Sequence, residues 1–357
     1  MVSNKHTLPP KLNTDPQTVA WDVVGQATFG KPLGYLEHGC DFDGTLDISR
    51  QAMNYLVTVG MQHKLDSLLD KNPVYRIGPP SLANITAVAM THLANRYTGA
   101  DNHDPSNPDF LDRYLEAKKA HPEEVDDPRI LGYLLVNLAA GADTTACSLK
   151  SFFYLTLKHP AVWARLEADI LAAPFASGET MDLPAPYSQT RAIPYLEAVV
   201  RECLRLYPGN CFPQERYVPA GGLTLPDGSF VPEGTAVGFN AYVLHRNKQV
   251  WGEDAEEFRP ERWLRDAAGG ESEEAFKTRM THMNNSDLSF GAGVRKCIGM
   301  NLGMMEVYKA VTTLIASFEF QLADQEAEWT IHNNLFPTQS GVIMQMRRRA
   351  GVELRDE

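Results

Sequence analysis

Residues 290–299 read Phe290-Gly291-Ala292-Gly293-Val294-Arg295-Lys296-Cys297-Ile298-Gly299, a glycine-rich loop around one cysteine. Arg295 and Lys296 come directly before Cys297, and the pattern after it predicts a helix. Cationic neighbours and the positive end of a helix dipole both favour the thiolate over the thiol. The glycines permit a tight turn and the close approach of a flat partner, with Phe290 as an apolar wall. A thiolate presented in this way suits the axial position of a haem iron.

The same ten residues resemble the haem-binding loop of cytochrome P450 monooxygenases, Phe-x-x-Gly-x-Arg-x-Cys-x-Gly, at every fixed position. The resemblance implies haem b as the cofactor and Cys297 as the axial ligand of its iron. It also implies that four other loop residues contact the cofactor: Phe290, Gly293, Arg295 and Gly299. The alternative is a structural cysteine buried on a loop, which is the usual state of a single cysteine.

The composition is that of an acidic globular protein, with 43% hydrophobic residues, 22% charged residues and a net charge of −12. Because a nucleic-acid-binding protein needs a basic face, we expect no nucleic-acid partner. The five cysteines are irregularly spaced and form no Cys-x-x-Cys pair: Cys40, Cys147, Cys203, Cys211 and Cys297. A chain of this length needs no disulfides for stability, so we expect free thiols, no disulfide partners and a reducing compartment.

The sequence predicts no membrane-spanning segment. The first ten residues lack the apolar run of a signal peptide. The longest nearly uninterrupted apolar stretch, residues 130–142, is interrupted by Asn137 and is shorter than the about 20 residues that a transmembrane helix needs. Members of the family that the loop resembles are usually anchored in the endoplasmic-reticulum membrane and face the cytoplasm. We therefore expect this chain to be cytoplasmic or peripheral to a membrane.

The apolar periodicity predicts a mainly helical protein with a minor sheet region. Helices are predicted at 20–29, 49–70, 81–97, 110–119, 127–158, 161–172, 195–206 and 300–317. Turn residues between positions 208 and 239 predict a small sheet, and short strands are expected at 318–322 and 341–346. Residues 1–18 are expected to form a poorly ordered tail, and residues 19–357 a single unit. The resemblance implies a cytochrome P450 fold lacking the family's N-terminal strands and first helices.

A second motif, Gly141-Ala142-Asp143-Thr144-Thr145, lies in the middle of the predicted helix at 127–158. A buried aspartate is costly without partners, and a helical glycine costs roughly 1 kcal/mol relative to alanine. These two costs predict a local distortion where a ligand approaches Gly141. The motif resembles the oxygen-activating turn of P450s, which implies catalytic proton delivery by Asp143 and Thr144. The alternative is a threonine bonded back to its own helix and an aspartate that reaches solvent.

Two further segments resemble the structural core of the same family. Glu202 and Arg205 are three residues apart on a predicted helix and therefore share a face. Residues 258–263, Phe-Arg-Pro-Glu-Arg-Trp, resemble the segment whose arginine completes a buried triad. We therefore expect Glu202, Arg205 and Arg262 to form a structural network behind the cysteine loop, since a guanidinium can hold a carboxylate by two bonds.

Arg216 and Arg295 occupy positions where the resemblance implies a cation facing a haem propionate. The alternative for Arg216 is a solvated arginine at a sheet edge. His245 is expected to be structural and not a second iron ligand. The family's pattern would place mainly apolar residues around the substrate, although such residues usually belong to the core: Leu135, Leu138, Ala139, Ala142, residues 210–212 and residues 335–337.

The resemblance extends from Thr28-Phe29-Gly30 to the C-terminal end and is greatest to filamentous-fungal P450s that oxidise secondary metabolites. It does not include the Trp-x-x-x-Arg helix with which family members hold the haem propionates. None of the five tryptophans is followed four residues later by arginine. We interpret the chain as N-terminally incomplete or as a natural short form.

Three functions are compatible with these motifs. The first is a haem-thiolate monooxygenase that uses O2, a small hydrophobic substrate and electrons from NADPH–cytochrome P450 reductase. The second is a P450-like remnant with weak or no haem binding and no catalysis. The third is a haem-thiolate isomerase or dehydratase without a reductase, which has less need for the acid–alcohol pair at Asp143 and Thr144.

Overall fold

The computed structural model describes residues 16–75, 77–78, 83–176 and 182–350. Most of the predicted tail, residues 1–15, lies outside the described residues. The first helix begins at Pro16, and Thr18 is buried in it, so residues 16–18 belong to a packed helix and not to a tail.

Helices make up most of the described chain, as predicted. They are α1 (Pro16–Phe29), α2 (Tyr35–His38), α3 (Thr45–Gly60), α4 (His63–Leu68), α5 (Ala83–Thr98), α6 (Phe110–Ala120), α7 (Asp127–Lys158), α8 (Pro160–Leu171), α9 (Tyr187–Thr190), α10 (Pro194–Leu206), α11 (Ala241–Leu244), α12 (Lys248–Trp251), α13 (Glu273–Ser286) and α14 (Met300–Ser317). The mainly helical fold class is confirmed.

The sheet region consists of four antiparallel pairs of short strands. The strands are β1 (Gln214–Tyr217), β2 (Leu223–Thr224), β3 (Phe230–Val231), β4 (Ala236–Phe239), β5 (Phe318–Leu322), β6 (Thr330–Asn334), β7 (Phe336–Ser340) and β8 (Met344–Arg348). β1 pairs with β4, β2 with β3, β5 with β8, and β6 with β7. The small sheet expected between residues 208 and 239 is therefore present as two separate ribbons.

The structure differs from the sequence predictions in several elements, among them the strand expected at 341–346, which is Met344–Arg348. The helix predicted at 49–70 is two helices, because α3 ends at Gly60 and α4 begins at His63. The 14-residue α13 was not predicted, although Ser272 caps it by accepting the backbone N–H of Ala275 at 3.1 Å. The serine followed by two glutamates was the available signal for a helix start.

The contacts within the chain divide it into two compact units. The first comprises residues 1–150 and 328–341, and the second comprises residues 151–327 and 342–357. The single unit expected for residues 19–357 stays a prediction. Cys297 belongs to the second unit, whereas Asp143 and Thr144 belong to the first.

The core of the first unit forms around one stripe of α7. Leu134, Leu138, Ala142 and Ala146 are spaced by four residues and are all buried. This spacing places their side chains on one helix face. Apolar residues of α1, including Trp21, belong to the same buried cluster. The burial of this face explains why the apolar part of α7 up to residue 150 is stable in this unit.

Within the described part of the chain, one helix, α7, is long and apolar enough to cross a membrane by length and composition, and 39% of its most apolar window is buried. The predicted apolar stretch ended at Ala142, but the helix continues to Lys158. A buried helix in a protein core passes the same test, so this feature is weak evidence for a membrane span.

Candidate functional site

The cysteine loop turns sharply at glycines that adopt left-handed backbone angles. Gly291 has φ +69° and Gly293 has φ +65°. A Cβ at Gly291 would lie 2.8 Å from Oε1 of Gln214, so the start of β1 packs directly on the loop. Two backbone hydrogen bonds close the loop, one from Gly291 N to Leu288 O and one from Cys297 N to Phe290 O, both at 2.9 Å. These bonds fix Cys297 at a defined place.

Cys297 is a free, exposed cysteine at the end of this loop, and α14 begins three residues later. Val294 and Ile298 beside it are almost fully exposed, at 101% and 96%. A Cβ at Gly299 would lie 3.9 Å from the Cys297 sulfur, whereas one at Gly293 would meet no atom within 4 Å. Haem is a flat macrocycle whose iron can bind a cysteine thiolate. The accessible sulfur of Cys297, with apolar side chains and glycines around it, therefore fits haem. The alternative of a buried structural cysteine is wrong, because Cys297 is exposed.

The loop is anchored at its start by His245, which is completely buried. The backbone N–H of Leu288 donates to Nε2 of His245 at 2.8 Å, and Nδ1 lies 2.9 Å from the carbonyl oxygen of Arg205. Since a backbone N–H can only donate, Nε2 accepts and Nδ1 carries the proton. Burial also lowers the pKa of His245 and favours this neutral ring. Both nitrogens are in use, so the prediction that His245 is structural is confirmed.

The predicted network of Glu202, Arg205 and Arg262 is present and buried. Glu202 Oε1 accepts from Arg205 Nη2 and Arg262 Nε, both at 2.8 Å, and also from the backbone N–H of Arg259. Its Oε2 accepts from Arg205 Nε at 2.9 Å and from the Trp263 indole at 2.8 Å. Most of the remaining guanidinium donors bind backbone carbonyls, for example Arg205 Nη1 to the oxygen of His245 at 2.7 Å. Arg262 Nη1 also donates to Asp254 Oδ1 at 3.2 Å. The network thus joins α10 to the histidine that holds the loop.

Arg216 and Arg295 are exposed, and neither forms an ion pair within the part of the chain that the structure describes. Arg216 Nη1 donates only to its neighbour, the Glu215 carbonyl, at 2.6 Å. Arg216 is two residues after Gln214 on β1, so the two side chains share the strand face that packs on the loop. Contact of these arginines with propionates stays a prediction.

The acid–alcohol turn is part of a continuous helix, because α7 runs without interruption from Asp127 to Lys158. The predicted distortion is therefore absent. Thr144 Oγ1 donates to the Ala140 carbonyl at 2.8 Å, as in the alternative interpretation. Asp143 does not simply reach solvent, since Gln17 Nε2 of α1 donates to its Oδ1 at 2.7 Å. The catalytic roles of Asp143 and Thr144 stay predictions.

Gly141 has a packing reason that the sequence did not reveal. A Cβ at this position would lie 2.8 Å from Cγ2 of Val24 in α1. The space beside the backbone of Gly141 is thus filled by a side chain of α1. These contacts do not support the prediction that a ligand approaches the backbone there. Its assignment to cofactor binding stays a prediction.

The residues expected around the substrate do not share one environment. Leu138 and Ala142 are fully buried in the core of the first unit, as the core alternative expects. Their place over a cofactor stays a prediction. Leu135 and Ala139 are partly buried, whereas Val136 is 63% exposed and Ala140 is also exposed. The exposed residues of this part of α7, Val136 and Ala140, are therefore different from the residues predicted to line the substrate.

Glu306 on α14 was not singled out from the sequence. Its Oε1 is buried and has no hydrogen-bond partner among the described residues. Burial raises its pKa from 4.5 to about 8. The unfolded chain would release this proton near pH 4.5 and the folded chain only near pH 8, so the folded protein loses stability as the pH rises between these values.

We expect Glu306→Gln to remove this pH dependence, because the amide has no proton to release. Between pH 5 and pH 8 the wild type should lose up to about 4 kcal/mol of unfolding free energy relative to Glu306→Gln. Urea titrations at both pH values measure the difference. Glu253→Gln, at a 90% exposed side chain, is the control and should follow the wild type. Parallel pH profiles for wild type and Glu306→Gln would contradict the prediction.

Comparison with known proteins shows which family this chain is similar to. The family model for cytochrome P450 matches residues 6–346. Cytochrome P450 monooxygenase cfoH of Aspergillus candidus is 62% identical over 93% of this chain and 61% of its own length. Cytochrome P450 monooxygenase cicH of Emericella nidulans is 33% identical over 93% of the chain and 64% of its length. The monooxygenase ACRTS1 of Alternaria alternata is 34% identical, over 93% of the chain and 86% of its length.

The fold and the exposed cysteine loop are typical of a class of proteins whose members hold haem through a cysteine thiolate. The chain belongs to the cytochrome P450 family. It spans less than two thirds of the length of the first relatives it matches, between 60% and 65%.

Proposed function

We propose that this chain carries the haem-thiolate centre of a monooxygenase that inserts one oxygen atom from O2 into a small hydrophobic molecule. The observation that supports this proposal best is the exposed thiol of Cys297 on a loop held by two backbone bonds. Arg295 and Arg216, which have no acidic partner among the described residues, supply two cations in the same unit.

Haem bound at this loop would supply the iron chemistry that activates O2. Cys297 would hold the iron as a thiolate, and Gly299, where a Cβ would lie 3.9 Å from the sulfur, leaves that space open. Gly293 would turn the loop beside the cofactor through its positive φ. Phe290 would line the cofactor, and Arg216 and Arg295 would bind its two carboxylates by charge-assisted hydrogen bonds. The network around Glu202 keeps the loop's support rigid without contacting the reacting atoms.

Proton delivery would fall to the turn on α7. The carboxylate of Asp143 is held by the Gln17 amide, so it is oriented and still able to accept and return a proton. The Thr144 hydroxyl donates to Ala140 O in this structure, and a change of its χ1 rotamer would free it to donate to a water. Both residues act on protons, and neither needs to bind metal.

The relatives are fungal monooxygenases, which supports a place in the oxidation of fungal secondary metabolites. The electron donor would be an NADPH–cytochrome P450 reductase, the redox partner that the resemblance to the family implies. The test is to express the chain with a haem precursor, reduce it and add carbon monoxide. A red-shifted Soret band supports the proposal, and the absence of haem would favour the non-catalytic remnant.

We expect Thr144→Ala to fold normally and to uncouple the reaction. Product formed per NADPH should fall roughly tenfold or more, since a positioned proton donor contributes at least that much. The assay uses a P450 reductase and the compound that the wild type converts fastest from a panel of fungal metabolites. Thr144→Ser should restore coupling. Thr145→Ala is the matched control, because Thr145 makes the same kind of bond, to Gly141 O at 2.9 Å, but is buried. Unchanged coupling in Thr144→Ala would remove Thr144 from the proton path.

A further inference from the structure

Helix α1 packs on the turn of α7 that carries Asp143, and it meets this turn at two points. A Cβ at Gly141 would lie 2.8 Å from Cγ2 of Val24, and Nε2 of Gln17 lies 2.7 Å from Oδ1 of Asp143. Gln17 and Val24 are separated by about two helical turns, so both side chains leave α1 on the same face. The bond between Gln17 and Asp143 is therefore part of the packing of two helices.

Buried apolar side chains hold the two helices together beside this bond. Trp21 of α1 belongs to the same buried cluster as Ala142 and Ala146 of α7. Gln17 and Asp143 themselves are only partly buried. The packing therefore sets the distance between the two polar side chains, while their partial exposure leaves Asp143 able to exchange a proton with water.

The amide of Gln17 can bond Asp143 in both protonation states of the acid. An ionised carboxylate only accepts hydrogen bonds, and an amide N–H can donate to it. A protonated carboxyl also has an O–H, which the amide oxygen can accept. A lysine or an arginine offers donors only. It would leave the O–H of the protonated acid without an acceptor, and its charge would favour the ionised form.

The partner that α1 offers to Asp143 carries no charge. Asp22 is the one ionisable side chain of α1, and its two oxygens accept the backbone N–H groups of residues 34–36 at 2.7 to 3.0 Å. On α7 the next ionisable side chains after Asp143 are Cys147, which is buried, and Lys150. On the α1 side, the group that meets Asp143 is thus a neutral amide.

We propose that Gln17 is a positioning residue that keeps Asp143 in place both before and after the acid takes up a proton. With the ionised acid, Nε2 of Gln17 donates, as in the structure. With the protonated acid, Oε1 of Gln17 accepts the O–H, so the carboxyl stays oriented until it returns the proton. The inference rests on the proposed monooxygenase function, in which Asp143 delivers protons, and it gives Gln17 no contact with the reacting atoms.

The first measurement needs no haem and tests the bond itself. Urea unfolding at pH 7 compares the wild type with Gln17→Met, Asp143→Ala and the double variant, since methionine keeps the length of glutamine but has no donor. The two single changes should be non-additive by about tenfold in the unfolding equilibrium constant, the value of one hydrogen bond to a charged group. Additive effects would overturn the proposal.

The second measurement tests the part that the amide takes in proton delivery. Product formed per NADPH, measured with a P450 reductase, should fall about tenfold in Gln17→Met. Gln17→Lys keeps a donor for the carboxylate and should be as stable as the wild type. It should nevertheless lose as much product per NADPH, because its charge keeps the proton off Asp143. A bond that only supported the fold would be restored by lysine, so full coupling in either variant would overturn the proposal.

Gln26→Met is the matched control, because Gln26 is an exposed glutamine of the same helix, and it should equal the wild type in both measurements. The reduced, carbon-monoxide-treated wild type and the Gln17 variants should show the same Soret band. If the wild type lacks this band, the proposed function fails, and the urea measurement still decides whether Gln17 holds Asp143. If the band is present and the Gln17 variants stay fully coupled, the positioning role of Gln17 alone fails.

Discussion

Replacing Cys297 with alanine is expected to abolish the thiolate-type Soret band of the reduced, carbon-monoxide-treated protein. The side chain lies on a loop fixed by its own backbone bonds, so the alanine variant loses the sulfur without losing the loop. Haem content should fall by about tenfold or more, since an axial metal–thiolate bond contributes several kcal/mol to retention of the group. Absorption spectra and pyridine haemochrome assays measure both effects.

Cys40→Ala is the matched control for this experiment, because Cys40 is the other exposed cysteine among the described residues. It should keep the spectrum and the haem content of the wild type. An unchanged spectrum in Cys297→Ala would place the ligand elsewhere and end the haem-thiolate assignment. Far-ultraviolet circular dichroism should be the same in all three proteins, since an exposed side chain contributes little to folding.

Replacing Glu202 with alanine should destabilise the protein by about 3–5 kcal/mol, because two buried guanidiniums, Arg205 and Arg262, would lose their common carboxylate. The indole N–H of Trp263 would also lose its acceptor. Urea unfolding followed by tryptophan fluorescence measures the loss, and pulse proteolysis in lysate serves where the yield is small.

Glu253→Ala provides the comparison, since Glu253 pairs with Lys248 on the surface and is 90% exposed. We expect a change of no more than about 0.5 kcal/mol there. If Glu202→Ala unfolded at the same urea concentration as Glu253→Ala, the buried network would not be what stabilises the packing of α10 on residues 258–263.

The sequence correctly predicted the elements whose local residue pattern agrees with the contacts that they make to distant parts of the chain. α7 and α14 begin and end at the predicted residues, because each has an apolar face bounded by proline, glycine or polar residues. The Glu202 network was predicted from its motifs, and its five hydrogen bonds follow from the geometry of a carboxylate between planar donors.

The features that were missed depend on contacts between distant segments. Gly141 was interpreted as a ligand position, but the side chain that fills its open side, Val24, is more than a hundred residues away in the sequence. Leu138 has the spacing of a pocket residue and equally of a core residue, and only the packing of α1 decides between the two. The bond from Gln17 to Asp143 has no local signal at all.

One buried imidazole determines how the cysteine loop should respond to acid. Protonation of His245 would place an N–H where Nε2 now accepts from Leu288, and two donors would then face each other. Because burial lowers the pKa of His245 below 6.5, the unfolded chain takes up this proton before the folded one does, and the fold loses stability as the pH falls below about 6.5. Asp287, whose carboxylate lies 3.6 Å from Nε2, partly offsets this effect. Mild acid should therefore release the loop from α10 through the protonation of His245, and any haem held at the loop would be lost over the same pH range.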